Sequence, residues 1–195
     1  MAIPGRNTDL GRKRTIDRNV TMDAIEAVVR EHGVAGLSIE AVARAAGISK
    51  SSVVYDFSSK NALLAAFVRK RLDQKHVDLE AAAEGHEGQP DAFLKGMLGH
   101  CAQSPSDEDI SCAMAITASF ADDNTCRELM ATAFREDLER VVSEASDPAR
   151  ARLVWAALHG VMALEYLGFH HFPPDERRQL LADIASLLSA PLPST

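Results

Sequence analysis

Along this chain the apolar residues recur every three or four positions, the period of a helix packed on one face. From about Asp17 to His32, Val20, Ala24, Ala27 and Val28 keep that spacing and Gly33 supplies a stop, which predicts a first helix. Ser38 can cap a second helix of about two turns, IEAVARAA, with Glu40 in the first turn, where the helix dipole favours an anion, and Gly47 at its end. Ser49 or Lys50 opens a short third helix that ends near Phe57. Ser58 or Ser59 caps a fourth, running from about Lys60 to Gly85. Three short helices thus precede a long one.

Beyond the turn GHEGQP the pattern continues as AFLKGMLGHCAQ, broken by SPSDED, then CAMAITASFA and DDNTCRELMATAFREDLERVVSEA. An eighth helix, ARARLVWAALHGVMALEYLGF, is entered through Asp147 and Pro148, and a ninth, DERRQLLADIASLLS, follows the loop HHFPPDE. Asp107, Glu108 and Asp109, like Asp122 and Asp123, read as helix-start acids favoured by the dipole. Nine helices without a fixed-period repeat predict an all-α fold. Composition agrees: 46% hydrophobic residues with only 5% aromatic and 8 prolines favour a helical globular chain over a strand-rich or disordered one. Cys101, Cys112 and Cys126 are odd in number and lack CxxC spacing, so they read as core thiols in a reducing compartment. No apolar run approaches the roughly 20 residues of a bilayer span. The start, MAIPGRNTDLGRKR, lacks the apolar region of a signal peptide, so a cytoplasmic location without membrane contact is expected.

Charge separates the chain into unlike parts. Residues 1–75 carry 13 Lys and Arg against 8 Asp and Glu, whereas residues 76–195 carry 8 against 20. A basic part joined to an acidic remainder suggests that the first part meets a polyanion. Residues 1–14, with Arg6, Arg12, Lys13 and Arg14 among glycines and a proline, read as a flexible basic arm. It would follow a nucleic-acid backbone, enter a minor groove, or remain a solvated tail.

The segment AGISKSSVVYDFSSKNALL carries the most chemistry. Two short helices joined through Gly47 form a helix-turn-helix pattern. Ala43 and Ala46 let the helices approach, Gly47 admits the positive φ of a tight turn, and Ile48 and Val53 plug the space between them. That leaves Lys50, Ser51, Ser52 and Tyr55 for a groove, where hydroxyls and backbone amides meet phosphates and the helix end reaches base edges.

Taken further, TMDAIEAVVREHG followed by SIEAVARAAGISKSSVVYDFSSKNALL resembles the N-terminal domain of the tetracycline-repressor (TetR) family, over about Arg14 to Phe67. The resemblance implies a helix-turn-helix DNA-binding domain at 15–60 and a helical effector-binding and dimerisation domain at 61–195. It further implies that Ser38, Ser52 and Lys60 contact phosphates, with Arg44 as another candidate, and that Ser49, Lys50, Ser51 and Tyr55 lie on the recognition surface. Val54 stands where the family commonly has an aromatic and Asp56 where it often has histidine. Asp56 would repel a phosphate unless it faces a cation or a cytosine amino group. The implied function is a transcriptional regulator, foremost a repressor released from a palindromic operator in double-stranded DNA by a small, largely apolar effector. A ligand-independent regulator or an activator of the same family is the nearest alternative.

In the eighth helix Trp155, His159, Met162 and Tyr166 share a face, a mixture that suits an apolar pocket with a few polar anchors, although a packed core with a satisfied histidine is the more common setting for any one of them. By resemblance the pocket would also draw on Phe93, Met97, His100, Met114, Phe120, Met130 and Phe134. Leu153, Ala157, Val161 and Leu164, with Leu180, Leu181, Ile184, Leu187 and Leu188 of the ninth helix, exceed what one bundle edge needs. In the family two such helices per subunit form a homodimer, which would set two recognition helices about 34–36 Å apart.

No GxSxG, HExxH, P-loop or dinucleotide glycine pattern is present, so no catalytic site is expected. His159, His170 and His171 raise the rival of a helical metal-binding protein or enzyme. Adjacent loop histidines rarely share an ion and no carboxylate or thiolate stands at ligand spacing, so neither metal nor cofactor is expected. A protein-interaction module using the acidic C-terminal region is a third class, one that would leave Lys50 and Lys60 unimportant.

Overall fold

The computed structural model describes residues 8–120 and 124–189, with side chains from Arg18 onward. Among the described residues nine α-helices and no strand are present. They are α1 (Thr8–His32), α2 (Ile39–Ala46), α3 (Lys50–Asp56), α4 (Lys60–Glu84), α5 (Ala92–His100), α6 (Asp107–Ser119), α7 (Asn124–Glu144), α8 (Pro148–Tyr166) and α9 (Pro174–Ser186). The fold is all-α.

Local chemistry sets most of the boundaries. Ser38, Ser49 and Ser59 each accept a backbone N–H three residues on, at 3.1 Å, and so open α2, α3 and α4. Gly47 closes α2 in the left-handed region with φ 65°, where a side chain would be strained. Asp147 accepts from the amides of Ala149 and Arg150 at 3.1 Å ahead of Pro148, fixing the start of α8.

Two starts differ from the sequence expectation. Residues 8–14, expected as part of a flexible arm, continue α1. Gly11 weakens a helix by about 1 kcal/mol relative to alanine but does not end one among Arg, Lys and Leu. Residues 1–7 and the side chains of Arg12, Lys13 and Arg14 lie outside the described set. Helix α6 begins at Asp107, in keeping with Asp107, Glu108 and Asp109 as helix-start acids but ahead of the Cys112 that opens the apolar pattern, because Ser106 and Asp109 form a reciprocal capping box that draws the acidic turn into the helix. Asp122 and Asp123 are outside the described residues.

The apolar faces gather into two cores. The first joins α1–α4 through Ile25, Leu37, Val42, Val53, Phe57, Leu63 and Phe67 and takes Cys126 from α7. The second joins Leu79 and Ala83 of α4 to Phe93, Leu94 and Met97 of α5, Val141 of α7, Val154 and Leu158 of α8, and Leu181 and Ile184 of α9. Helix α4 crosses both; at 1.5 Å per residue it is a rod of about 37 Å. Its distal half lies close against α5 because Gly96 has no side chain. A Cβ there would stand 2.7 Å from the Ala83 amide nitrogen.

One strut crosses the second core. Arg177 of α9 and Glu165 of α8 are both buried, and the Arg177 Nε donates to both carboxylate oxygens at 3.0 Å. Its Nη1 donates to the Ala102 carbonyl at 2.8 Å, which ties the end of α5 to the same pair. Burying two charges is tolerated here because they are paired and hydrogen-bonded.

Candidate functional site

Helices α2 and α3 form the turn expected of a reading head. Val53 and Phe57 sink into the first core, at 0% and 4% exposure, and hold α3 in place. The opposite face of α3 is turned outward: Ser49, Lys50, Ser51, Ser52 and Tyr55 are all exposed, Tyr55 at 71%. Val54 is exposed as well, so the outward face carries an apolar methyl pair where an aromatic was expected.

The polar side chains of this surface are pre-ordered. Ser49 Oγ, besides capping α3, shares hydrogen bonds with Ser51 Oγ at 2.8 Å and Ser52 Oγ at 2.9 Å. Lys50 Nζ donates to Glu40 Oε1 on α2 at 2.7 Å. That hydrogen bond, with one from Glu40's own amide and the lysine's charge, holds the Glu40 carboxyl below its usual range. Lys60 Nζ, at the first residue of α4, donates to the Ala35 carbonyl at 3.2 Å, joining the start of the long helix to the loop before α2. Arg44 is exposed on α2 and Ser38 half-buried at its cap. All the residues expected at a nucleic-acid surface thus belong to one end of the molecule, on α2, α3 and the start of α4.

The residues expected in a pocket divide into groups. Phe134, Trp155 and His159 come together: Phe134 stands edge-on to His159 at 5.0 Å and to Trp155 at 6.3 Å, and the tryptophan and histidine rings are 4.3 Å apart. His159 Nδ1 is 2.8 Å from the Trp155 carbonyl, and burial pushes its pKa below 6.5. Among the described residues the buried Trp155 Nε1 has no hydrogen-bond partner. Met162 Sδ lies 3.8 Å from Arg177 Nη2, and burial raises the Tyr166 hydroxyl. Met97 is packed in the second core, Phe120 and Met130 against the first, and His100 and Met114 are exposed.

A cavity of about 640 Å³ opens beside the aromatic trio, between α4 and α7. Phe93 is the one expected pocket residue in its wall. Leu72, Leu79 and Leu129 supply further apolar surface, and Lys75, Asp137 and Arg140 supply charge. Lys75 Nζ donates to Asp137 Oδ2 at 2.8 Å and stands 5.5 Å above the Phe134 ring, so it links the cavity to the trio. Arg140 covers the Phe93 ring at 4.0 Å and pairs with Glu80 and Glu144. Glu80 is held below the usual carboxylate range by its hydrogen bond from Arg140.

Sequence reasoning missed Asp137, Glu165 and Arg177 as buried residues, and Lys75 as the partly exposed partner of Asp137, because charges on amphipathic helices usually face water. A signal was present. Glu165 continues the buried stripe Val154, Leu158, Val161, and Arg177 begins the stripe that Leu181 and Ile184 complete. A charge in register with a buried stripe calls for a partner in register on a neighbouring helix.

Of the histidines raised as ligands, His159 belongs to the aromatic trio, His170 stacks edge-on against Phe172 at 4.4 Å, and His171 is exposed. Among the described residues no group of three or more His, Cys, Asp or Glu could hold a metal ion, and no helix is long and apolar enough to cross a membrane.

A compact head of short helices with its polar face outward, mounted on a helical body by one long helix, defines a helix-turn-helix DNA-binding protein. Comparison with known proteins makes the class specific. The model of bacterial regulatory proteins of the tetR family matches residues 22–67, and that of the tetracyclin repressor-like C-terminal domain matches residues 91–189. The chain belongs to the TetR family of transcriptional regulators. Its fold is similar to that of the multidrug binding protein EbrR, solved with malachite green, at 23% identity and a TM-score of 0.63 over 86% of this chain and 96% of that one. It is equally similar to a transcriptional regulator from Rhodococcus sp. Rha1, at 22% identity and a TM-score of 0.64 over 88% of this chain and 95% of that one. No curated protein matches the chain in sequence.

Proposed function

We propose that the protein is a homodimeric repressor that holds a palindromic operator through two α3 helices and leaves it when a small molecule enters between α4 and α7. The observation that carries this reading is the continuity of α4. Its first residue is tied to the reading head by Lys60 and Ala35, and its middle is tied to the cavity by Lys75 and Asp137. A ligand that parts Lys75 from Asp137 acts on the same rigid helix that positions α3, so its preference for one conformation becomes a change in operator affinity.

The chamber suits an effector with an apolar body and a polar acceptor. Leu72, Leu79, Phe93 and Leu129 offer the apolar surface, and Lys75 and Arg140 offer donors that a ligand's acceptor would meet. Ser38, Arg44, Ser52 and Lys60 hold phosphates, while Lys50, Ser51 and Tyr55 approach the bases and Ser49 orders them.

The dimer forms through α8 and α9. Leu153, Leu164 and Leu187 are exposed at 64%, 41% and 45%, and Gly160 between the first two has open space where a Cβ would stand. Val161, Leu181 and Ile184, expected to share in that interface, are buried within the subunit, so the contact surface is narrower than the apolar pattern suggested.

The test combines two measurements. Light scattering on a sizing column should give twice the 21.1 kDa chain mass for the wild type and the single mass for Gly160→Arg. A mobility-shift assay on the DNA upstream of the protein's own gene should show a complex with the wild type that the monomer forms poorly. Trp155, the single tryptophan, packs edge-on against Phe134, over which Lys75 of the cavity wall stands, so its fluorescence should change with a ligand that also releases DNA. A monomeric wild type, or DNA binding indifferent to sequence, overturns the proposal.

A further inference from the structure

We propose that Glu40 is a specificity-determining residue that, paired with Lys50, forms a donor–acceptor reader of one G·C base pair. The inference rests on the reading that α3 enters the major groove. Glu40 lies in the first turn of α2 and Lys50 at the first residue of α3, ten positions on, and both remain more than half exposed while bonded at 2.7 Å. Arg44, one turn along the same helix, makes no ion pair among the described residues. The carboxylate has therefore taken the recognition-helix lysine and left the arginine of its own helix available for phosphates.

A carboxylate on a surface that meets a polyanion weakens binding to every sequence alike, so its placement calls for a gain in discrimination. A free lysine is a flexible point charge that reaches phosphates and bases equally. Glu40 removes that freedom: it accepts one of the three ammonium protons and leaves two directed outward. Guanine presents two acceptors, O6 and N7, in the major groove, and its cytosine presents one donor, N4–H, beside them. Lys50 donates to the guanine while Glu40, which has acceptor sites beyond those used by Lys50 and its own amide, accepts from the cytosine. Thymine O4 in the place of that amino group would face the carboxylate acceptor to acceptor, and is rejected.

The test uses the full-length protein and a pool of randomised duplexes. Wild type, Glu40→Gln and Lys50→Gln are each carried through selection, then titrated by fluorescence anisotropy against the wild-type consensus and its single base-pair variants. Wild type should require a G·C pair at one position of each half-site. Glu40→Gln should bind random-sequence duplex more tightly yet lose about tenfold of the preference at that position alone, the scale of one mismatched pair. Lys50→Gln should relax the same position. Equal thermal midpoints for the three proteins exclude a folding effect. Glu40→Gln with an unchanged consensus and unchanged discrimination overturns the inference and leaves the pair as a stitch between helices. A wild type that selects no consensus overturns both this inference and the DNA-reading proposal beneath it.

Discussion

Removing the Glu165 carboxylate should be among the most damaging single changes the body of this protein can suffer. Glu165 is fully buried and Arg177 only 2% exposed, so no water replaces the lost partner. In Glu165→Ala the guanidinium keeps the Ala102 carbonyl at 2.8 Å and the Met162 sulfur at 3.8 Å, and no second carboxylate among the described residues pairs with it. Breaking a buried pair in this way costs about 3–5 kcal/mol, against a total stability of about 5–15 kcal/mol. With a urea slope of about 2 kcal/mol per molar, the unfolding midpoint should fall by about 2 M. The double variant Glu165→Leu, Arg177→Met removes both charges at similar volume and should lie within about 1–2 kcal/mol of wild type, the remainder being the unpaired Ala102 carbonyl. Both are measured by urea titration at one fixed protein concentration, since a dimer's midpoint depends on it. A loss below about 1 kcal/mol for Glu165→Ala, or a double variant as unstable as the single, would refute the strut.

Three further changes probe other parts of the structure. Gly96→Ala sets a Cβ against the backbone of Ala83, so an overpacking cost of about 1–3 kcal/mol should exceed the roughly 1 kcal/mol gained in helix propensity. Gly99→Ala on the same helix meets nothing within 4 Å and should stabilise; thermal melts of the two should move in opposite directions. His159 is held neutral by burial, so its contribution to stability is complete above its unfolded pKa of 6.5 and is lost as pH falls through the lower folded value. Wild type should therefore lose stability on acidification below pH 6.5 more steeply than His159→Gln, and parallel pH profiles would refute the assignment. Lys75→Met removes the bond to Asp137 and should uncouple chamber from head: the effector should still alter Trp155 fluorescence but release DNA less completely.

The reading head was legible in sequence because each of its features has a local cause. Caps at Ser38 and Ser49, the left-handed turn at Gly47 and the buried Val53 and Phe57 depend on residues within a few positions of one another. The longer-range arrangement was less so. Trp155 and His159 lie one turn apart and were seen as a pair, whereas Phe134 reaches them from α7 and Lys75 from α4, and nothing in spacing announces which helices meet. Helix faces were over-assigned to the dimer for the same reason: Val161, Leu181 and Ile184 satisfy an apolar stripe equally well inside one subunit or between two. The start of α1 was misplaced because charge and glycine were read as an arm where helix propensity prevails.

The central claim is that the outward face of α2 and α3 reads DNA sequence. It is tested most directly by anisotropy titration of the selected consensus and a scrambled duplex across a salt series, with wild type and Arg44→Ala. The account predicts that wild type prefers the consensus by about 10³ or more, and that Arg44→Ala weakens both duplexes alike while lowering the log–log salt slope by about 0.9 for each subunit's lost phosphate contact. Equal affinity for the two duplexes, or an unaltered slope in Arg44→Ala, would contradict it.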